Sequence, residues 1–329
     1  MHALRLTIVY LAVVFLGGAL LAPWAYQLAS WGAAQSPALE WLAREPFHRY
    51  VNRALLVLAV AGLWPFFRGL GVRRWSDLGL GSSSGQWGRL ALGFGLGLGS
   101  LAAVVFAAAA AGARQWNWAH SAADYGRQLL GAMLTAMVVA VLEEVLFRGA
   151  LFGALRKGFR WPTALVVSSA FYALVHFFQR PASPLPINWS SGFVVLPGML
   201  RGFIDLEQLV PGFLTLTLAG GLLGYLYQKS GTLHASIGLH AGWIFWLKWY
   251  GFITEPVPAA NTWFWGTAKL IDGWFALIVL GMVGLVLWHW RHSAPAAAGN
   301  VEPPDRSPSR DDEHGENGGS GPSRAADTR

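Results

Sequence analysis

No cysteine occurs in the 329 residues. That excludes disulfides, thiolate metal ligands and a cysteine nucleophile. Charge is scarce as well: Asp, Glu, Lys and Arg make up 12% of the chain, against roughly 25% in average soluble domains. Between Leu129 and Gln179 the only acidic residues are Glu143 and Glu144. Internal repetition is also missing. The Glu-Glu pair occurs once, and neither histidine motif described below recurs with it. Carriers built from two related halves are expected to show such repeats.

What is present is apolar. Hydrophobic residues make up 54% of the chain and come in long runs. That points to a polytopic membrane protein rather than a large soluble core. The 40 glycines and 18 tryptophans fit this setting, because glycine permits close helix approach and tryptophan suits the membrane interface. The hydropathy pattern predicts spans at about 5–23, 50–67, 90–112, 128–154, 161–179, 209–228, 232–250 and 271–290. The fold class is therefore an all-α membrane bundle of about eight helices.

The net charge of +7 does not argue for nucleic acid, since much of it sits in short loops. Arg68, Arg73, Arg74 and Arg89 lie between spans two and three. Arg156, Lys157 and Arg160 crowd the connection between spans four and five, and Lys229 lies between spans six and seven. These are alternate loops, as a multi-pass protein of a bacterial inner (plasma) membrane with both termini cytoplasmic requires. Arg44, Arg49 and Arg53 fall on the other side, against that pattern. From about Ser293 the chain turns rich in Pro, Gly, Ser and charge, so 293–329 reads as a disordered tail. The segment 180–208 is the one long internal connection; it reads as a short interfacial helix or a lid.

One helix concentrates the chemistry. Val141-Leu142-Glu143-Glu144-Val145-Leu146-Phe147-Arg148 places three ionisable groups in a span otherwise suited to hydrocarbon. Charge at that depth costs several kcal/mol and marks a functional site by default. Residues four apart share a helix face, so Glu144 and Arg148 are expected to pair. Glu143 points elsewhere and is left as the reactive carboxylate, suited to general base work on water. A buried salt-bridge network without chemistry is the plain alternative, and ion or proton transport is a third.

Histidines bear on that choice. His176 lies in Tyr172-x-x-x-His176, and His240 in Gly238-Leu239-His240-Ala241-Gly242-Trp243. A lone histidine on an apolar helix is more often a core residue than a catalyst, and His234, His289 and His292 take that bland reading or an interfacial one. Depth separates the other two. At the α-helical rise Glu143 stands ~17 Å from the expected cytoplasmic end of its span, His176 ~22 Å and His240 ~12 Å. In a core about 30 Å thick these depths form one central layer. One carboxylate and two imidazoles on three helices are able to surround a water molecule or a metal ion.

The pattern Glu143-Glu144-x-x-x-Arg148, Tyr172-x-x-x-His176 and His240 in its Gly-rich motif resembles the CAAX protease and bacteriocin-processing family, also called Abi, which includes the type II prenyl endopeptidases. The resemblance covers about residues 125–250 and includes Gly220-Gly221-Leu222-Leu223-Gly224-Tyr225 before the last motif. It implies an intramembrane protease in which Glu143 activates water with help from His176. Glu144 and Arg148 shape the site, His240 stabilises the oxyanion, and Tyr172 takes a substrate-binding position. A divalent metal such as zinc, held by Glu143, His176 and His240, is the cofactor it allows; the family has also been described as glutamate-based without one. The partners implied are the bilayer and a membrane-associated peptide or protein substrate, prenylated or CAAX-like among others. The chain then divides into 1–124 with three spans, a protease core at 125–250, a final helix within 251–292 and the tail. The site is expected near mid-membrane, opening toward the cytoplasm.

One departure stands out. The family usually has an asparagine four residues after the last histidine, and here that position is Ile244. Losing one oxyanion donor typically costs about 100- to 1,000-fold in rate. Another donor substitutes, or the substrate geometry differs, or activity is reduced. Trp243 has an indole N–H but lies on another face. Two rival functions follow: a proton-coupled carrier using Glu143, and a catalytically impaired relative acting as a binding or immunity protein.

Overall fold

Eight long helices build the bundle in a computed structural model that describes residues 2–81, 85–179, 186–267, 269 and 271–293. They are α1 (His2–Gln35), α2 (Phe47–Gly69), α3 (Gln86–Ala110), α4 (Ala122–Glu143), α5 (Trp161–Val175), α6 (Leu206–Ser230), α7 (His234–Ile253) and α8 (Trp274–Ser293). Each overlaps one expected span. Among the described residues, five helices are long and apolar enough to cross a membrane: α1, α2, α3, the combined Ala122–Leu155 and Leu209–Ser230 within α6. Trp161–Val175 and Trp274–His289 are shorter apolar helices. Helix α7 falls outside both groups, because His234, Ser236, His240 and Lys248 dilute its apolar content. Most of its inward residues are buried, so the bundle rather than lipid surrounds its polar groups. The compact unit spans Met1–Trp288, and the described part beyond it is the end of α8. The polar tail read as disordered lies outside the described residues.

Local chemistry explains the ends. Ser121 caps α4 reciprocally with Asp124: the serine Oγ accepts from the Asp124 N–H at 3.2 Å, and the carboxylate accepts from the Ser121 N–H at 3.3 Å. Pro162 sits in the first turn of α5, where its missing N–H costs nothing. Before α3, Asp77 accepts from the N–H groups of Arg73 and Arg74, both at 2.9 Å, and closes the turn Trp75–Leu78.

The contact between α3 and α7 is made by glycines. A Cβ on Gly93 or Gly97 would collide with the carbonyls of Ala235 or Leu239. A Cβ on Gly238 or Gly242 would collide with those of Leu90 or Phe94. The two GxxxG pairs therefore face each other and let the backbones touch. His240 lies between the second pair, so this contact fixes its height and rotation. Beyond the contact, Arg114–Trp116 and Thr254–Pro256 pair as short antiparallel strands, with Gln115 opposite Glu255. Buried Arg114 donates to Thr254 Oγ1 at 2.8 Å and its guanidinium lies 4.9 Å from the centre of the Tyr250 ring, tying the ends of α3 and α7 together.

Within 180–208 the described residues form the helix Ser191–Met199, the 3-10 turn Leu200–Phe203 and the start of α6 at Leu206; residues 180–185 lie outside the described residues. That helix packs beside α1, where Gly192 meets the Ala19 backbone and Val195 joins Ala22, Phe47, Tyr50 and Val51. The chain after it returns past the end of α5, with Gly202 against the Phe177 carbonyl.

Candidate active site

Helix α4 changes character at the Glu-Glu pair. Glu144–Phe152 is a π-helix, after which Gly153–Leu155 resumes the α form. Such segments are rare and frequent at functional sites. The widened turn buries Glu144 (0% exposed) and Arg148 (3%), while the Glu143 side chain keeps 26% exposure. The neighbouring carboxylates thus occupy different surroundings.

Glu144 Oε1 is 2.9 Å from Arg148 Nη1, the expected pair, although the N–H is not aimed along that line. The same oxygen accepts from His240 Nδ1 at 2.9 Å. Arg148 also lies 4.3 Å from the Tyr172 ring centre, and its Nη2 is 3.4 Å from the Gly220 carbonyl. The charged pair is thereby tied to α5, α6 and α7. Its partners were only half legible, since residues 96 apart in sequence carry no spacing signal.

Glu143 faces the two imidazoles. Its Oε2 is 3.8 Å from His176 Nε2 and 3.7 Å from His240 Nε2, and makes no hydrogen bond. His176 caps the end of α5, where its Nδ1 donates to the Tyr172 carbonyl at 2.8 Å and leaves Nε2 toward Glu143. His240 is held at Nδ1 by Glu144, so its Nε2 also points to Glu143, with the Tyr172 hydroxyl 3.3 Å away. All five residues expected to carry chemistry, and Tyr172, form one connected group. Tyr172 itself is 3% exposed and touches its neighbours along most of its surface.

A cavity of about 230 Å³ adjoins this group. Glu143, Tyr172, His176 and His240 line it together with Thr215 and Ile244. Position 244 therefore does face the site, and the side chain there is apolar. Trp243 lines it too, but its indole N–H is committed to Ser100 Oγ on α3 at 2.9 Å. The indole is thus excluded as the replacement donor. Sequence reasoning missed both Ser100 and Thr215, which carry no local motif.

A second, larger cavity of about 620 Å³ shares His176, Leu216 and Ile271 with the first. Its far wall holds Gln179, Asp205, Lys269 and Asp272. Helix α5 runs from Arg160 to His176, so these residues lie at the end of the bundle opposite Arg156, Lys157 and Arg160. With the arginine-rich connections assigned to the cytoplasm, the site widens away from it. A cytoplasmic opening through this cavity and cytoplasmic arginine-rich connections therefore exclude each other.

The same atoms bear on metal fit. Among the described residues no group of three or more His, Cys, Asp or Glu side chains is arranged to hold a metal ion. Tetrahedral zinc with bonds near 2.0–2.1 Å needs neighbouring ligand atoms roughly 3.4 Å apart. The separations of 3.7 and 3.8 Å at Glu143 are wider. The donor types suit zinc, and both imidazoles are oriented from behind as metal-bound histidines usually are. As placed, they do not close on an ion.

Residues 125–246 match the family described as Type II CAAX prenyl endopeptidase Rce1-like. That segment is similar to the CAAX protease family. No curated protein and no solved structure matches the chain. At family level this match supports an intramembrane endopeptidase, and the apolar helices support a multi-pass membrane protein. The matched segment runs from the first turn of α4 into α7 and so contains every residue of the connected group.

Proposed function

We propose that the protein hydrolyses a peptide bond of a membrane-associated substrate with water activated by Glu143 and His176. The observation that carries this reading is the Glu143 Oε2 atom. It has no hydrogen-bond partner, lines a cavity and faces two oriented Nε2 atoms at 3.7 and 3.8 Å. Those separations are too long for direct hydrogen bonds and suit a water held between the groups. Glu143 takes a proton from that water as the oxygen attacks the scissile carbonyl carbon. The carbonyl oxygen becomes an oxyanion beside Nε2 of His240, an imidazole whose other nitrogen Glu144 holds. The carbon–nitrogen bond then breaks, and Glu143 returns its proton to the leaving amine. Tyr172 steadies His240 and forms one wall against the substrate.

Substrates of this site are membrane-associated peptides, prenylated CAAX-like tails among them. The wall of Leu101, Leu247 and Leu280 supplies apolar contact for such a chain. A carrier is disfavoured, because Glu143 shares its site with two fixed imidazoles and an Arg-paired neighbour rather than lining a repeat interface.

The test is incubation of purified protein with a panel of membrane peptides, prenylated and not, with and without chelator. Cleavage is expected, insensitive to chelator and absent in Glu143→Ala. His176→Ala is expected to be non-additive with Glu143→Ala, since both serve one water. Full cleavage by Glu143→Ala would remove the carboxylate from the mechanism. Loss of cleavage on chelation, restored by zinc, would move the same three residues to a metal-dependent one.

A further inference from the structure

We propose that Thr215 supplies the oxyanion hydrogen bond that Ile244 cannot, and is therefore a catalytic residue of this protein. The inference rests on the hydrolytic reading above and names the missing donor within it.

Thr215 is 1% exposed, and its Oγ1 has no hydrogen-bond partner. A threonine inside a helix usually donates to the carbonyl four residues back. Thr7 in α1 does so to Ala3 at 2.9 Å. Thr215 does not donate to the Pro211 carbonyl. A buried hydroxyl left without a partner costs about 1–3 kcal/mol, which the fold normally avoids. Thr215 lines the site cavity together with Glu143, His176, His240 and Ile244.

Its height along the bundle is fixed by its neighbours on α6. A Cβ on Gly220 would meet Ser169 and Tyr172, and one on Gly212 would meet the Phe177 ring. Thr215 lies between these two contacts, level with the end of α5 that carries His176. It therefore approaches the reacting carbonyl from α6, while His240 approaches from α7. A hydroxyl donor there acts on charge that develops only in the transition state, which raises kcat rather than binding.

The test uses the full-length protein in detergent with a cleaved peptide. Thr215→Val keeps the shape and removes the donor; it is expected to lower kcat by about 100-fold, with KM changed little. Thr215→Ser keeps the hydroxyl and is expected to retain most of the rate. In the Val background, Ile244→Asn is expected to recover part of the loss; in the parent it is expected to change little.

Two readouts need no turnover. Thr215→Val is expected to melt at or above the parent, because no hydrogen bond is broken. A peptide phosphonate, whose anionic oxygen stands in for the oxyanion, is expected to bind the Val variant more weakly and the Ser variant normally. Unchanged kcat in Thr215→Val, unchanged phosphonate affinity, or a clearly lowered melting temperature would each overturn the proposal. Failure of the hydrolytic reading looks different: Glu143→Ala would then cleave as fast as the parent.

Discussion

Glu144 Oε1 serves two partners at once, His240 Nδ1 and Arg148 Nη1, each at 2.9 Å. Removing the carboxylate leaves a buried guanidinium beside the Gly220 carbonyl and the Tyr172 and Phe147 rings, with no carboxylate paired to it. Breaking a buried pair from one side typically costs about 3–5 kcal/mol. Glu144→Ala is therefore expected to lower folded yield and melting temperature as well as activity. Glu144→Leu with Arg148→Met removes both charges and is expected to recover yield while leaving the protein inactive, since His240 loses its orienting carboxylate. Yield after detergent extraction and a thermal melt decide it; a single variant that melts like the parent would show that the pair contributes no stability. The ion pair was legible because both residues share one helix and a spacing of four. The link to His240 was not, because it joins distant segments. Thr215 was not legible either, since a threonine in an apolar helix ordinarily satisfies itself.

Helices α3 and α7 meet through backbone, and that contact sets where His240 stands. Gly97 is a sharp case, because its added Cβ would run into the Leu239 carbonyl. Gly99 lies two residues on, and a Cβ there meets nothing within 4 Å. Gly97→Ala is expected to cost about 1–3 kcal/mol by overpacking and to reduce cleavage by displacing His240. Gly99→Ala is expected to leave melting and activity unchanged or slightly improved. Equal behaviour of the two variants would refute the close contact. The turn at Trp75–Leu78 makes a pH-dependent claim. Backbone donation from Arg73 and Arg74 holds the Asp77 carboxyl below its usual range. Asp77 therefore contributes stability that is fully present above the unfolded carboxylate value, about 3.9, and is lost as pH falls through the lower folded value. Melting of the parent between pH 3 and 5 is expected to fall more steeply toward acid than that of Asp77→Asn, about as a single carboxylate predicts; parallel curves would refute the claim. Composition announced that glycine would bring helices together. It did not announce which glycines, nor the π-helix, whose sequence carries the same spacing of four as an α-helix. The strand pair Arg114–Trp116 and Thr254–Pro256 was equally hidden, being two three-residue segments far apart in the chain.

Across the whole molecule, the eight helices and the shared depth of Glu143, His176 and His240 were legible from hydropathy and helical rise alone. The direction in which the site opens was not, because it depends on how helix ends cluster. The larger cavity gathers Gln179, Asp205 and Lys269, all exposed, at the end of the bundle reached by α5 after leaving Arg160. Exposed Gly158 lies in the connection before that helix, at the other end. A membrane crossed by this bundle therefore separates Gly158 from Lys269. The absence of native cysteine makes the claim directly testable, since any introduced thiol is the only one in the chain. Gly158→Cys and Lys269→Cys, expressed in intact cells and treated with a membrane-impermeant maleimide, are expected to label from opposite sides. With the arginine-rich connections cytoplasmic, Lys269→Cys labels in intact cells and Gly158→Cys only after permeabilisation. The reverse pattern inverts the bundle and turns the wide cavity toward the cytoplasm, where prenylated tails reside. Labelling of both positions from one side would contradict the arrangement of the cavity itself, because no orientation of the bundle places the two ends of α5 on the same face.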